Sequence, residues 1–286
     1  MLKKLTQFYY PETIEEACKY LGKKGEKTAV VAGGTSEALR QDNSIEALVD
    51  ISRVKELNYI RKDSSIYRIG ATTPIQDIYK CSDLKGPSGE ILKYTAGKIG
   101  STLLRNSITA GGNLAAIFPW SDLPPVYLAL DAEVVLRKGK PKRTVPVENL
   151  INERPNKFLG ENEIIAEIAV PVYGKGTGTS FVKFAKTAND YSMITVATRV
   201  TLKSGKIEQA RIALNAVTIS PVRIKDAEKI LEGQKPTSDL IAEAAAKTAE
   251  KAEIRKDFRA SKEYKREVLE VLVRRSLEEA LEMAKK

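Results

Sequence analysis

The chain has 286 residues, 42% hydrophobic and 29% charged, with a formal net charge of +10. That composition suits a globular protein of one large or two modest domains; with no run of eighteen apolar residues and no signal-peptide core at the N-terminus, a cytoplasmic protein without a membrane span is expected. Histidine is absent and the two cysteines, Cys18 and Cys81, stand alone, which excludes a Ser-His-Asp triad, a His general base and an iron–sulfur cluster held by this chain, and leaves any redox chemistry to an organic cofactor.

Taken in chain order, Pro11 with Ile14, Ala17, Cys18 and Leu21 predicts a helix capped by Gly22, with Pro11 at its first position. A strand over 28–31 runs into Ala32-Gly33-Gly34-Thr35-Ser36, followed by a helical turn at 37–40 and a strand at 47–51. Strands are expected at 66–69 and 132–137, the latter closing at Lys138-Gly139-Lys140-Pro141. Helices are expected after Pro74 and over 90–101 and 122–130. Residues 164–170 form an apolar strand ended by Pro171. Gly174 to Gly178 reads as a linker. Beyond it come strands at 180–185, 194–202 and 208–217, the last two joined by a hairpin at Lys203-Ser204-Gly205-Lys206. Three helices finish the chain: one opened by Ser220-Pro221 and closed by Gly233, one over 236–251, and one from Ser261 with an apolar stripe at Leu269, Leu272, Val273, Ser276, Ala280 and Met283.

Two glycine pairs carry the chemistry. In Ala32-Gly33-Gly34-Thr35-Ser36 and in Thr109-Ala110-Gly111-Gly112-Asn113, successive backbone N–H groups can form a concave donor site for an anion. Glycine lets the backbone approach closely, and neighbouring hydroxyl and amide side chains add donors. Each pair alone reads equally as a plain turn. Together they favour a two-part clamp on the diphosphate of a flavin dinucleotide. Neither matches the G-x-G-x-x-G fingerprint or a P-loop. Asp122, beside Ser121 at a helix start, reads either as an acceptor for ribose hydroxyls or as a helix-terminal carboxylate.

The run Leu104-Arg105-Asn106-Ser107-Ile108-Thr109-Ala110-Gly111-Gly112-Asn113-Leu114, then Pro119-Trp120-Ser121-Asp122-Leu123-Pro124-Pro125, resembles the FAD-binding medium subunit of the molybdenum hydroxylases, the xanthine dehydrogenase, carbon monoxide dehydrogenase and aldehyde oxidoreductase group. So do the first glycine turn, residues 215–223, and the tail from Asp257-Phe258-Arg259-Ala260-Ser261 to Arg275. The resemblance runs in order through nearly the whole chain. It implies an α+β fold: two α/β FAD-binding subdomains of the vanillyl-alcohol-oxidase type (1–55 and 56–173), then a C-terminal domain (178–286) of three-stranded antiparallel sheet and helical bundle. It implies that Ala32, Gly33, Gly34, Thr35 and Ser36 wrap the diphosphate of a non-covalent FAD, and that Thr109, Gly111, Gly112 and Asn113 form the second half of the clamp. By the same resemblance, Ser121 and Asp122 lie near the ribose, Ile165 and Lys183 near the flavin, and Asn189-Asp190-Tyr191 form a mobile loop over one flavin face. From spacing alone, Ile165 reads equally as core packing and Lys183 as a solvated strand residue.

Family members commonly carry Ile or Leu where this chain has Ala110. The implied role is electron transfer. A large molybdopterin-binding subunit would oxidise the substrate, a small [2Fe–2S] subunit would relay electrons, and FAD would pass them to NAD, oxygen, a quinone or a protein. The competing readings are a stand-alone FAD-dependent oxidase or reductase, and a basic nucleic-acid-binding protein. The second lacks aromatic interleaving and any motif, so no nucleic acid is expected. The basic stretch Lys262 to Arg275 carries interspersed glutamates and reads as a solvated surface or a dock for an acidic protein.

Overall fold

A computed structural model describes residues 4–36 and 42–286. The helical turn expected at 37–40 lies outside the described residues. In chain order the first elements are β1 (Gln7–Tyr9), α1 (Ile14–Leu21), β2 (Thr28–Val31), β3 (Ala47–Asp50), β4 (Ile60–Asp63), β5 (Ile66–Gly70) and α2 (Ile75–Lys80). Next come α3 (Gly86–Gly97), α4 (Thr102–Ser107), α5 (Ala110–Ala116), α6 (Leu123–Ala129), β6 (Glu133–Arg137), β7 (Lys142–Pro146), α7 (Val147–Glu153), α8 (Pro155–Phe158) and β8 (Ile164–Pro171). The last are β9 (Thr177–Phe184), β10 (Ile194–Lys203), β11 (Lys206–Asn215), β12 (Val222–Arg223), α9 (Lys225–Leu231), α10 (Ser238–Lys251) and α11 (Lys262–Lys285). By their contacts they divide into two units.

The first unit comprises Met1–Cys81, Ser101–Ala116 and Glu133–Val170. Its smaller sheet, β1-β3-β2, is parallel throughout. Helix α1 starts one position after Thr13, whose hydroxyl accepts the Glu16 N–H, and ends at Gly22. Pro11 therefore precedes the cap rather than opening the helix. The side chains of Ile14, Ala17 and Cys18 pack with Val49, Ile51, Val54, Leu57, Ile164 and Ala166 in one core cluster. The larger sheet runs β4-β5-β8-β6-β7, with β8 at its centre. Residues 164–170 are all buried, which explains why the central strand reads as a nearly unbroken apolar run.

The second unit comprises Ser82–Gly100, Ile117–Ala132 and Pro171–Lys286. Its antiparallel sheet runs β12-β11-β10-β9, three long strands plus a two-residue edge strand at 222–223 where the sequence suggested a helix start. The helix expected from Ser220 begins only at Lys225, after that strand. Directly paired residues share a sheet face. The row Thr198, Ser180 and Ile212 faces α11, where the Thr198 and Ser276 hydroxyls meet at 2.8 Å. The alternate rows face α3, α6 and the segment before α6: Thr179 donates to the Pro87 carbonyl, Arg199 to Ala129, and Asn215 to Ser121. The unit is thus three layers, helices on both faces of one sheet. The hairpin at 203–206 has positive φ at both Ser204 and Gly205, the conformation a two-residue β-turn demands.

Candidate functional site

The first glycine pair sits in the turn that ends β2, with Ala32 to Ser36 all half-buried. Gly34 adopts φ +71, and no atom lies within 4 Å of where its Cβ would be. Its role is conformational, because left-handed backbone costs any other L-residue about 1–2 kcal/mol. Gly33 is constrained differently. A Cβ there would lie 1.6 Å from the Ser107 carbonyl oxygen. The first turn is therefore packed directly on the end of α4, two residues before Thr109.

The second pair belongs to a helix rather than to a loop: Gly111 and Gly112 lie in the first turn of α5. The Thr109 carbonyl accepts the Asn113 N–H at 2.9 Å, and its hydroxyl accepts the Gly112 N–H at 3.2 Å. Those two bonds are what an N-cap threonine makes. Gly111 is buried against Ala71, whose Cβ would lie 2.6 Å from an added Cβ, and its N–H donates to the Ala71 carbonyl at 2.8 Å. Gly112 is exposed, and only the Thr109 hydroxyl lies near its Cβ position, at 2.7 Å.

Residues 71–76 back this helix start, a contribution the sequence reading missed. The Ala110 N–H donates to Thr73, the Ile75 N–H donates to Ile108, and Pro74 bridges Thr109. Arg105, buried in α4, donates from Nε to Gln76 at 2.7 Å and from Nη2 to Thr102 at 3.0 Å. The signal for it lay in the Arg105-Asn106 pair, read only as part of a motif. Ile165 lies on buried β8 in the same unit, paired with Leu136. Its neighbour Ala166 accepts the Ala71 N–H, so β8 is linked through Ala71 to Gly111.

Ser121, Asp122 and Lys183 belong to the second unit. Asp122 occupies the cap position before α6 but makes no side-chain cap bond. Its carboxylate instead accepts the Ser192 hydroxyl at 2.7 Å and Lys183 Nζ at 3.0 Å. Burial pushes its carboxyl above the usual carboxylate range, and Lys183 and Ser192 oppose that rise. Lys183 also donates to the Lys98 carbonyl at 3.0 Å, so it is a tied residue rather than a solvated one. Asn215 donates to the Ser121 carbonyl at 2.7 Å. Beside them, Phe118 and Trp120 stack at 5.0 Å with nearly parallel rings, and Tyr191 leans on Trp120 at 4.8 Å.

In the first unit the two glycine turns thus form one surface, offering an open left-handed turn, an exposed helix-start glycine and the hydroxyls of Thr35 and Ser36. That donor set fits a diphosphate.

Comparison with known proteins agrees. The profile described as FAD binding domain in molybdopterin dehydrogenase matches residues 4–173, and that of the CO dehydrogenase flavoprotein C-terminal domain matches 179–280. The chain belongs to the FAD-binding medium subunits of the molybdenum hydroxylases. Its cofactor is FAD, and it is an oxidoreductase subunit. Among relatives of this medium-subunit family, the glyceraldehyde dehydrogenase medium chain of Sulfolobus acidocaldarius is 31% identical over 94% of this chain and 95% of its own. The carbon monoxide dehydrogenase medium chain of Hydrogenophaga pseudoflava is 30% identical over 96% of each. A solved structure of the carbon monoxide dehydrogenase of that organism matches with a TM-score of 0.91 over 99% of both chains, at 30% identity. Among the described residues no helix is long and apolar enough to cross a membrane.

Proposed function

We propose that this medium subunit carries non-covalent FAD for a heteromeric molybdenum hydroxylase, taking electrons from the [2Fe–2S] clusters of a small partner subunit and passing them to an external acceptor such as NAD or oxygen. A large molybdopterin-binding partner oxidises the substrate. When bound, FAD supplies the exchange between one-electron and two-electron transfer. The chain's own residues bind and orient it. Ala32 to Ser36 and Thr109 to Asn113 hold the diphosphate, with Gly34 and Gly112 leaving room for its oxygens and Thr35 and Ser36 donating from their hydroxyls. Ile165 gives an apolar contact. Ser121, Asp122 and Lys183 form a pre-tied polar group, in which each Asp122 oxygen accepts one protein donor and keeps a lone pair for a ribose hydroxyl. Residues 1–55, 56–173 and 178–286 are the working divisions of this reading.

The observation that carries it is the packing of Gly33 on the Ser107 carbonyl, which brings both glycine turns to one surface. The full-length relatives named as medium chains favour a subunit over a stand-alone oxidase. The test is to titrate flavin-stripped protein with FAD and follow its absorbance. Wild type should reach one flavin per chain, whereas Gly112→Val should stay folded with little flavin. Full occupancy in that variant would count against the clamp. Co-purification with two partners, one bearing iron–sulfur clusters, separates the subunit from a self-sufficient enzyme.

A further inference from the structure

The segment joining β9 to β10 has two parts with opposite character. Residues 186–190 are exposed, with a turn bond from the Asp190 N–H to the Thr187 carbonyl. Its base, Tyr191 and Ser192, is fixed from three sides. Arg259 Nη1 donates to the Ser192 carbonyl at 2.8 Å and to the Tyr191 carbonyl at 3.2 Å. The Ser192 hydroxyl donates to Asp122. The Tyr191 ring, itself 60% exposed, leans on Trp120, which stacks on Phe118.

Arg259 is in turn held. Its Nη2 lies 2.9 Å from Asp257, which also receives the buried Lys265 ammonium at 2.8 Å and lies 3.6 Å from Arg255. Burial would raise the Asp257 carboxyl, but Arg259 and Lys265 hold it well below the usual range. A guanidinium fixed by a carboxylate and aimed at two consecutive carbonyls clamps a backbone. A half-exposed tyrosine leaning on a two-ring stack has its ring plane set by that stack.

We propose that Trp120 and Arg259 are positioning residues that fix Tyr191 at the base of this loop and so set how readily an external acceptor reaches the flavin. This rests on the reading above that the chain carries FAD with the 189–191 loop over one flavin face. Arg259 governs the backbone of Tyr191 and Trp120 its ring, so removing either frees the loop in a different way. Neither residue is placed in the diphosphate clamp.

The test uses full-length, flavin-loaded protein as wild type, Trp120→Ala, Trp120→Phe and Arg259→Ala. Hydrogen exchange of the amides over 187–192 reports the loop, and the rate at which dioxygen reoxidises the reduced flavin reports access. Trp120→Ala and Arg259→Ala should speed exchange there about three- to tenfold, from the usual strength of an aromatic pair. Trp120→Phe should restore it, and the reoxidation rate should change in the same two variants. Unchanged exchange in both alanine variants overturns the positioning role. Faster exchange with unaltered reoxidation overturns the link to flavin access. Failure of wild type to bind FAD refutes the proposed function instead, a result distinct from either.

Discussion

Replacing Gly33 by alanine perturbs the contact that joins the two glycine turns. The new methyl would lie 1.6 Å from the Ser107 oxygen and 2.7 Å from its carbon. Reaching ordinary contact at 3.4 Å requires a shift of about 1.8 Å, and the obstacle is backbone that no rotamer change can move aside. Overpacking of this kind costs about 1–3 kcal/mol, and each kcal/mol lowers Tm by about 2–4 °C in a protein of this size class. The same shift separates the halves of the proposed clamp, so FAD affinity should fall by about ten- to a hundredfold, about 1.4 kcal/mol per decade. The assay is a melting curve on flavin-free protein together with an FAD titration. Gly34→Ala is the control: with open space at its Cβ it pays only the conformational cost, and Gly34→Asn should recover part of it. A Gly33→Ala variant with wild-type Tm and wild-type FAD affinity would refute the turn-on-turn packing. The sequence alone suggested that Gly33 serves phosphate approach and that a bulky substitution leaves a folded, flavin-free protein. The geometry predicts instead that stability and flavin are lost together.

Lys183→Met should leave Asp122 buried without its cation, costing about 3–5 kcal/mol. Because burial already raises the Asp122 carboxyl, its contribution is most favourable below about pH 4 and declines as pH rises through the folded-state value. The deficit of Lys183→Met should therefore widen from pH 4 towards neutrality, and a melting series showing no such widening would contradict the pairing. Arg199→Met removes a fully buried guanidinium that donates to Ala129, lies over the Tyr173 ring at 4.1 Å and pairs with Asp131. A loss of about 3–5 kcal/mol in a denaturant titration is expected, since Asp131 loses a buried partner. Asp257 is the opposite case to Asp122. Its depressed carboxyl stabilises the fold above about pH 4, and that contribution fades as pH falls through the folded-state value. Asp257→Asn should lower Tm at neutral pH and flatten the acid limb, monitored by fluorescence of Trp120, the single tryptophan.

Features written in short stretches of chain were legible. Ser261 caps α11 by accepting the Tyr264 N–H, β8 is the unbroken apolar strand, and the 203–206 hairpin carries its two positive-φ residues. Each depends on residues within a few positions of one another. The missed elements depend on distant partners. β1 is three half-exposed or exposed residues with no apolar pattern of its own, and it exists because β3, forty residues on, supplies its hydrogen bonds. β12 exists because Leu214 and Ala213 pair with Val222 and Arg223, which displaced the helix start that Ser220-Pro221 suggested.

The candidate site divides in the same way. Sequence alone determined that two glycine pairs flanked by hydroxyl and amide side chains exist, and their order in the chain carried the family resemblance, because backbone freedom is a property of each residue by itself. Only tertiary structure decided what each glycine is for. Gly34 is free for its conformation, Gly33 and Gly111 are pressed on Ser107 and Ala71, and Gly112 is left exposed. It likewise decided that Asp122 is tied to Lys183 and Ser192 instead of capping its own helix. Close approach and charge pairing are distances between residues far apart in sequence, and the packing of the fold sets those distances.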